Sequence, residues 1–200
     1  MNNLFTGTEE KEFFVWVDDN EPVTKHNMEK AGCLFSIPEG DEVFPFVPNP
    51  KVTGFRSQFI GNVVWSYQTE YNVELTRKWK FKKYPSRFVA LFLFETLDGA
   101  QKYAKNHPWH VGYRSLKKVK TQDRYKYSKH DLGWIDFLIE PSGQNPDLLR
   151  DATIEYWEGT SVTGYSFARM GKQCVVNSNY EILYDGIVRP VETIQKGIDP

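Results

Sequence analysis

The sequence predicts an α+β fold: a mainly antiparallel, twisted and partly split sheet with short flanking helices. Three observations lead there. Short aromatic and β-branched runs such as Phe13-Phe-Val-Trp-Val17 have the length and composition of strands. Capped amphipathic stretches such as Leu97–Asn106 lie between them. The two kinds alternate without the regular βαβ rhythm of a doubly wound sheet. With 200 residues, 16% of them aromatic, the chain has enough material for one substantial core.

In chain order, residues 1–12 are polar and read as a loose N-terminal segment ahead of a single α+β domain over 13–200. Phe13–Val17 is a strand. A short helix follows the Asp18–Pro22 turn, with Thr24 as N-cap, Val23 and Met28 at the spacing of a hydrophobic staple, and Gly32 as its stop. Ile37–Pro50 carries four prolines and reads as a loop pinned by Phe44 and Phe46. Gly61–Tyr71 looks like a strand, and in Arg77–Lys83 the alternation of charge with aromatic residues reads as another, with Trp79 and Phe81 on one face. The apolar run Phe88–Phe94 reads as a strand buried on both faces.

Thr96 caps a helix over Leu97–Asn106, which His107-Pro108 ends. Tyr113–His130 reads as strand plus loop and Trp134–Glu140 as a strand. Asn145 and Pro146 start a helix through Leu148, Leu149, Ala152 and Tyr156 that Gly159 closes. Asn179–Tyr184 and Ile187–Val191 flank Asp185-Gly186, which suits the type I′ turn of a hairpin.

Composition narrows the function classes. No apolar run approaches the roughly 20 residues of a membrane-spanning helix, and the N-terminal residues have neither the basic start nor the apolar stretch of a signal peptide. The expectation is a cytoplasmic protein that does not engage a membrane, with Cys33 and Cys174 as reduced core thiols. There is no glycine-rich phosphate loop, nucleophile elbow, zinc helix or paired-cysteine motif. His107 and His110 of HPWH have no acidic or cysteine neighbour in sequence and read as a surface turn, so no metal site is expected.

The net charge of −1 hides a segregation. Thr76–His130 holds 15 Lys or Arg against Glu95, Asp98 and Asp123, with acidic segments on both sides. Within it, Lys78, Trp79, Lys80, Lys82, Lys83, Arg114, Lys117, Lys118 and Lys120 interleave with Phe81, Tyr113, Tyr125 and Tyr127. Cations engage phosphates while aromatic faces stack bases, so this is the composition of a polyanion or single-strand binder. A solvated face neutralised by the acidic flanks produces the same string. Both readings stand at this point.

A further reading comes from the order of segments. A first strand leads into a short helix ending in glycine (Phe13 to Gly32), and Pro85-Ser86-Arg87 enters an apolar strand and an alanine-bearing helix. Tyr156-Trp157 closes a later helix, and Glu181 stands near the start of a late strand. This order resembles the ADP-ribosyltransferase family, including its small bacterial and phage members. The resemblance implies transfer of ADP-ribose from NAD, as co-substrate, to a macromolecular target. Glu181 would be the catalytic carboxylate and Ser86 the hydroxyl that contacts the nicotinamide ribose. Arg87 would contact phosphate or hold its loop, and Tyr156 and Trp157 would supply an aromatic wall. Such chemistry needs a carboxylate because cleavage of the nicotinamide–ribose bond builds positive charge on the ribose. Strand alternation puts Glu181 on one face with Leu183. The alternatives are a non-catalytic binder of nucleic acid or an acidic protein, or a structural adaptor using the basic segment.

Overall fold

The computed structural model describes residues 3–37, 60–139, 146–163, 166–169, 172–175 and 178–197. Along the chain these form β1 (Leu4–Gly7), β2 (Glu12–Val17), α1 (Pro22–Ala31), β3 (Leu34–Phe35), α2 (Ile60–Lys80) and β4 (Leu91–Leu93). Then come α3 (Leu97–Asn106), α4 (Pro108–Val111), β5 (Ser115–Asp131), α5 (Gly133–Ile139), α6 (Pro146–Glu158), β6 (Ser166–Arg169), β7 (Lys172–Val175) and β8 (Tyr180–Gln195). The architecture is α+β with antiparallel pairing throughout.

β5 and β8 form the spine, paired from Leu116 opposite Gln195 to Asp131 opposite Tyr180. β2 and then β1 pair along the other edge of β5, while β3 and β4 pair along the other edge of β8. Phe14 and Phe94 exchange backbone hydrogen bonds of 2.8 and 2.7 Å, which ties β2 to the end of β4 and curls the sheet onto itself. β6 and β7 make a separate two-stranded sheet.

Alternation along the strands separates two cores. Phe13, Val15, Val119, Ile182 and Tyr184 pack on one face. Leu116 and Leu183 face the other way, against Val73 of α2, Ala152, Tyr156 and Trp157 of α6, and the α5 residues Trp134, Ile135 and Phe137. Glu181 lies on this helix-facing side, in register with His130 of β5.

Several elements stand where local signals put them. Thr96 caps α3, its hydroxyl accepting from Gly99 N at 3.1 Å, and Gly32 ends α1 with φ 64°. Gly159, at φ 71°, follows the end of α6. Others differ. The N-cap of α1 is Glu21, whose carboxylate accepts from Thr24 N at 2.6 Å, with Pro22 in the first turn; Val23 is solvent-exposed and staples nothing. The stretch read as loose contains β1, paired with Tyr125–Ser128.

Gly61–Tyr71 and the first part of Arg77–Lys83 belong to one helix, α2. Its buried Thr69, Val73 and Arg77 recur every four residues, so a helical stripe outweighs the short alternation. Trp134–Glu140 is helical over Gly133–Ile139 rather than extended. A short apolar run does not distinguish a strand from a buried helix, and Asp131, accepting from Gly133 N at 3.0 Å, starts a helix here. Of Phe88–Phe94 only Leu91–Leu93 is strand, and Phe92 is exposed, so the run is not buried on both faces.

Asp185-Gly186 makes no hairpin. β8 continues through it, with Gly186 at φ 150° opposite an irregularity between Gln122 and Lys126 of β5 that includes Asp123 at φ 56°. Two turn-forming residues here serve a bulge that bends long strands. The loop predicted over Ile37–Pro50, with Phe44 and Phe46, lies outside the described residues beyond Ile37, as does Asn145. Cys33 is a buried free thiol donating to Gln122 Oε1 at 3.3 Å. No helix among the described residues is long and apolar enough to cross a membrane.

Candidate active site

The helix-facing side of β8 carries a charged centre assembled from distant segments. Arg87 leaves the turn at Ser86, where Val89 N and Ala90 N both bond to Ser86 O. Its guanidinium is held in a fork by Glu70 of α2, Nε to Oε2 at 2.6 Å and Nη2 to Oε1 at 2.9 Å. Nη1 donates to Tyr156 Oη at 2.7 Å and also to Glu181 Oε1. Tyr156 in turn donates to Glu181 Oε1 at 2.7 Å. The guanidinium lies 5.0 Å from the Phe92 ring centre and 5.4 Å from that of Tyr156, so aromatic faces fix its plane. Both contacts to Glu181 fall on Oε1; among the described residues Oε2 accepts no hydrogen bond.

His130 supports this triangle from the neighbouring strand. Its ring stacks on Tyr156 at 4.5 Å. A carbonyl only accepts, so Nδ1–H donates to Tyr156 O at 2.8 Å, and Nε2 accepts from Ser128 Oγ at 2.7 Å. Burial holds His130 neutral, down to about 3. Asn3 braces the same place, donating to Lys129 O at 2.7 Å and accepting from Tyr84 Oη at 2.7 Å.

The electrostatics follow from desolvation. Burial raises Glu181 above the usual carboxylate range, and Arg87 pulls it back. Burial opposes the charge of Arg87, but Glu181 and then Glu70 hold it well above its ordinary value. Burial also lifts Tyr156. Two carboxylates, Glu70 and Glu181, share the single guanidinium of Arg87, a formal excess of one negative charge beside the buried Glu181. That surplus suits a cation more than an anion.

Of the residues expected at a nucleotide site, Arg87, Tyr156 and Glu181 meet directly. Trp157 packs beside them but is sealed in the core, its indole N–H bonded to Val73 O at 2.8 Å and its ring against Phe81 and Tyr84. Ser86 is buried, and its hydroxyl accepts from Phe88 N at 3.2 Å, shaping the turn. Arg87 spends its donors on carboxylates and Tyr156, which makes it a group that positions Glu181. Glu181 itself is 2% exposed; Glu70, with its side chain 17% exposed, and Phe92 lie on the solvent side of the cluster.

The basic residues divide. Lys117 pairs with Asp19 at 2.5 Å, Lys118 with Glu12 at 2.7 Å and Lys120 with Glu10 at 2.6 Å. Lys126 and Lys129 find Asp185 and Glu95. Along β5, then, acidic residues from both flanks neutralise the run. Arg114 donates to His110 O. Lys78, Trp79 and Lys80 end α2, and Lys82 and Lys83 are in the following turn. His107 and His110 flank Tyr103, whose hydroxyl meets His110 Nδ1, and no group of three or more metal-ligating side chains forms among the described residues.

Glu70 and His130 belong to the centre but were not singled out from sequence. Reading residues 60–80 as one helix puts Glu70, Glu74 and Arg77 on one stripe, which is the signal for the first. His130 carried none, because its role depends on its register with Glu181. No family model matches the chain, and no curated protein matches it.

Proposed function

We propose that this chain is an ADP-ribosyltransferase-like enzyme that transfers ADP-ribose from NAD to a macromolecular acceptor, with Glu181 as the catalytic carboxylate. One observation carries the reading: the Arg, Tyr and Glu named for that chemistry, drawn from positions 87, 156 and 181, meet within hydrogen-bond distance. In the proposed step the bond between nicotinamide and C1′ of the ribose breaks, and its electron pair leaves with neutral nicotinamide. The acceptor's nucleophile bonds to C1′ and gives up its proton to water. The positive charge that builds on the ribose meets the surplus negative charge of the cluster. Glu181 Oε2, with no partner among the described residues, is the oxygen suited to it. Arg87, Glu70 and Tyr156 position that carboxylate, and His130 fixes Tyr156.

The test is transfer of label from NAD to acceptors in cell extract, with nicotinamide release measured in parallel. Wild type should label acceptors, and Glu181→Gln should lose label by about a hundredfold or more. Its thermal unfolding, followed alongside, separates lost chemistry from lost fold. A wild-type chain that neither binds NAD at millimolar concentration nor releases nicotinamide sinks the proposal.

A further inference from the structure

Outside the buried centre, the end of α2 has the opposite character. Trp79 is 69% exposed, and Leu75, one turn earlier on the same face, is 47% exposed. The chain then turns through Phe81, Lys82, Lys83 and Tyr84 around a shallow depression of about 270 Å³ lined by Trp79 to Tyr84. The turn is rigidly held. Arg77, itself buried against Glu74 at 2.7 Å, donates to Tyr84 O at 2.9 Å, and Tyr84 Oη donates to Asn3. Phe81 stacks on Trp157 below. Lys80 lies 5.4 Å from the Phe81 ring and pairs with Glu158 at 3.1 Å. Lys82 and Lys83 are exposed and have no acidic partner among the described residues.

This is a different situation from β5. There the lysines are matched one by one by acids; here an exposed indole stands among lysines, two of them without an acidic partner among the described residues. A polyanion carrying flat rings satisfies both halves of the patch, phosphates on the lysines and a base on Trp79. An acidic peptide satisfies only the lysines. Among the described residues the patch is a helix end and a turn held against the fold, not a free helix or ribbon for a duplex groove, and a protruding ring needs an unstacked base.

We infer that the end of α2 and its turn, through Trp79, Lys82 and Lys83, form a docking surface for single-stranded nucleic acid. The inference is independent of NAD chemistry at Glu181.

The test uses the full chain and a fluorescent single-stranded oligothymidine titrated over a range of salt. Binding should weaken steeply with salt, and Lys82→Glu with Lys83→Glu should lower the slope of log K against log salt by about 1 to 1.5. Trp79→Ala should weaken binding about tenfold, while Trp109→Ala, at a tryptophan still more exposed (79%), should leave it unchanged. Circular dichroism and melting of each variant confirm that surface changes left the fold intact. The inference is overturned if the strand does not bind at low salt, or if Trp79→Ala and the double reversal bind as wild type does. It is equally overturned if polyglutamate of matched charge competes as well as the oligonucleotide, which would assign the surface to an acidic protein.

Discussion

The ion pairs at Arg87 and those along β5 use the same chemistry in two different solvents. On β5, Lys117–Asp19 and its neighbours lie half in water, where Coulomb attraction is screened and long side chains lose freedom to meet. At Arg87 the guanidinium and Glu181 are cut off from water, so each charge is costly alone and secure only with its partners. The surface series disposes of charge; the buried cluster fixes geometry. Counting salt bridges would treat them alike, and their failure modes show that they are not.

The largest expected difference comes from breaking the buried set. Arg87→Met removes the cation and leaves Glu70 and Glu181 facing each other, so chemical denaturation should show a loss of about 3–5 kcal/mol. A loss under 1 kcal/mol would place the cluster in water after all. Next comes acid. His130 is neutral in the fold down to about 3, whereas an unfolded histidine protonates near 6.5. Its contribution is therefore present above pH 6.5 and lost as pH falls towards 3, about 3 kcal/mol by pH 4. His130→Asn should flatten that acid limb, and an unchanged limb would assign it to other groups.

Gly159→Ala should cost about 2 kcal/mol by melting, because a left-handed φ of 71° combines with a methyl 2.5 Å from the Asn3 amide. The smallest effect belongs to the surface. A double-mutant cycle on Lys117 and Asp19 should give no more than about 1 kcal/mol, shrinking further in high salt. A coupling as large as that of Arg87 would erase the contrast.

Much of this was legible where structure follows from local chemistry. Thr96, Gly32, Pro146 and Gly159 mark helix ends by their own backbone preferences. Glu181's face followed from alternation alone. Misreadings arose where a short pattern has two solutions. The apolar run at 134–139 became a helix because Asp131 caps it and α6 packs on it. The aromatic-lysine alternation of 77–83 straddles a helix end and a turn. Asp185-Gly186 became a bend because β5 offers β8 a partner on both sides of it. The charge split was legible as composition, but its pairing was not: Lys117 meets Asp19 only through the tertiary register of β2 with β5. For the same reason the partnership of His130 with Tyr156 had no local trace.

Asn3 has a consequence for the order in which the fold is completed. Its amide reaches Lys129 and Trp157, partners 126 and 154 residues further along the chain. Contacts that span so much sequence form slowly and late, since the intervening chain must already be organised before they are rewarded. Seating Asn3 beside Gly159 therefore reads as a closing event, made on a nearly native scaffold. Truncating its side chain should leave the refolding rate almost untouched and quicken unfolding instead. Asn3 would then govern how long the native state lasts, and hardly at all how fast it is reached.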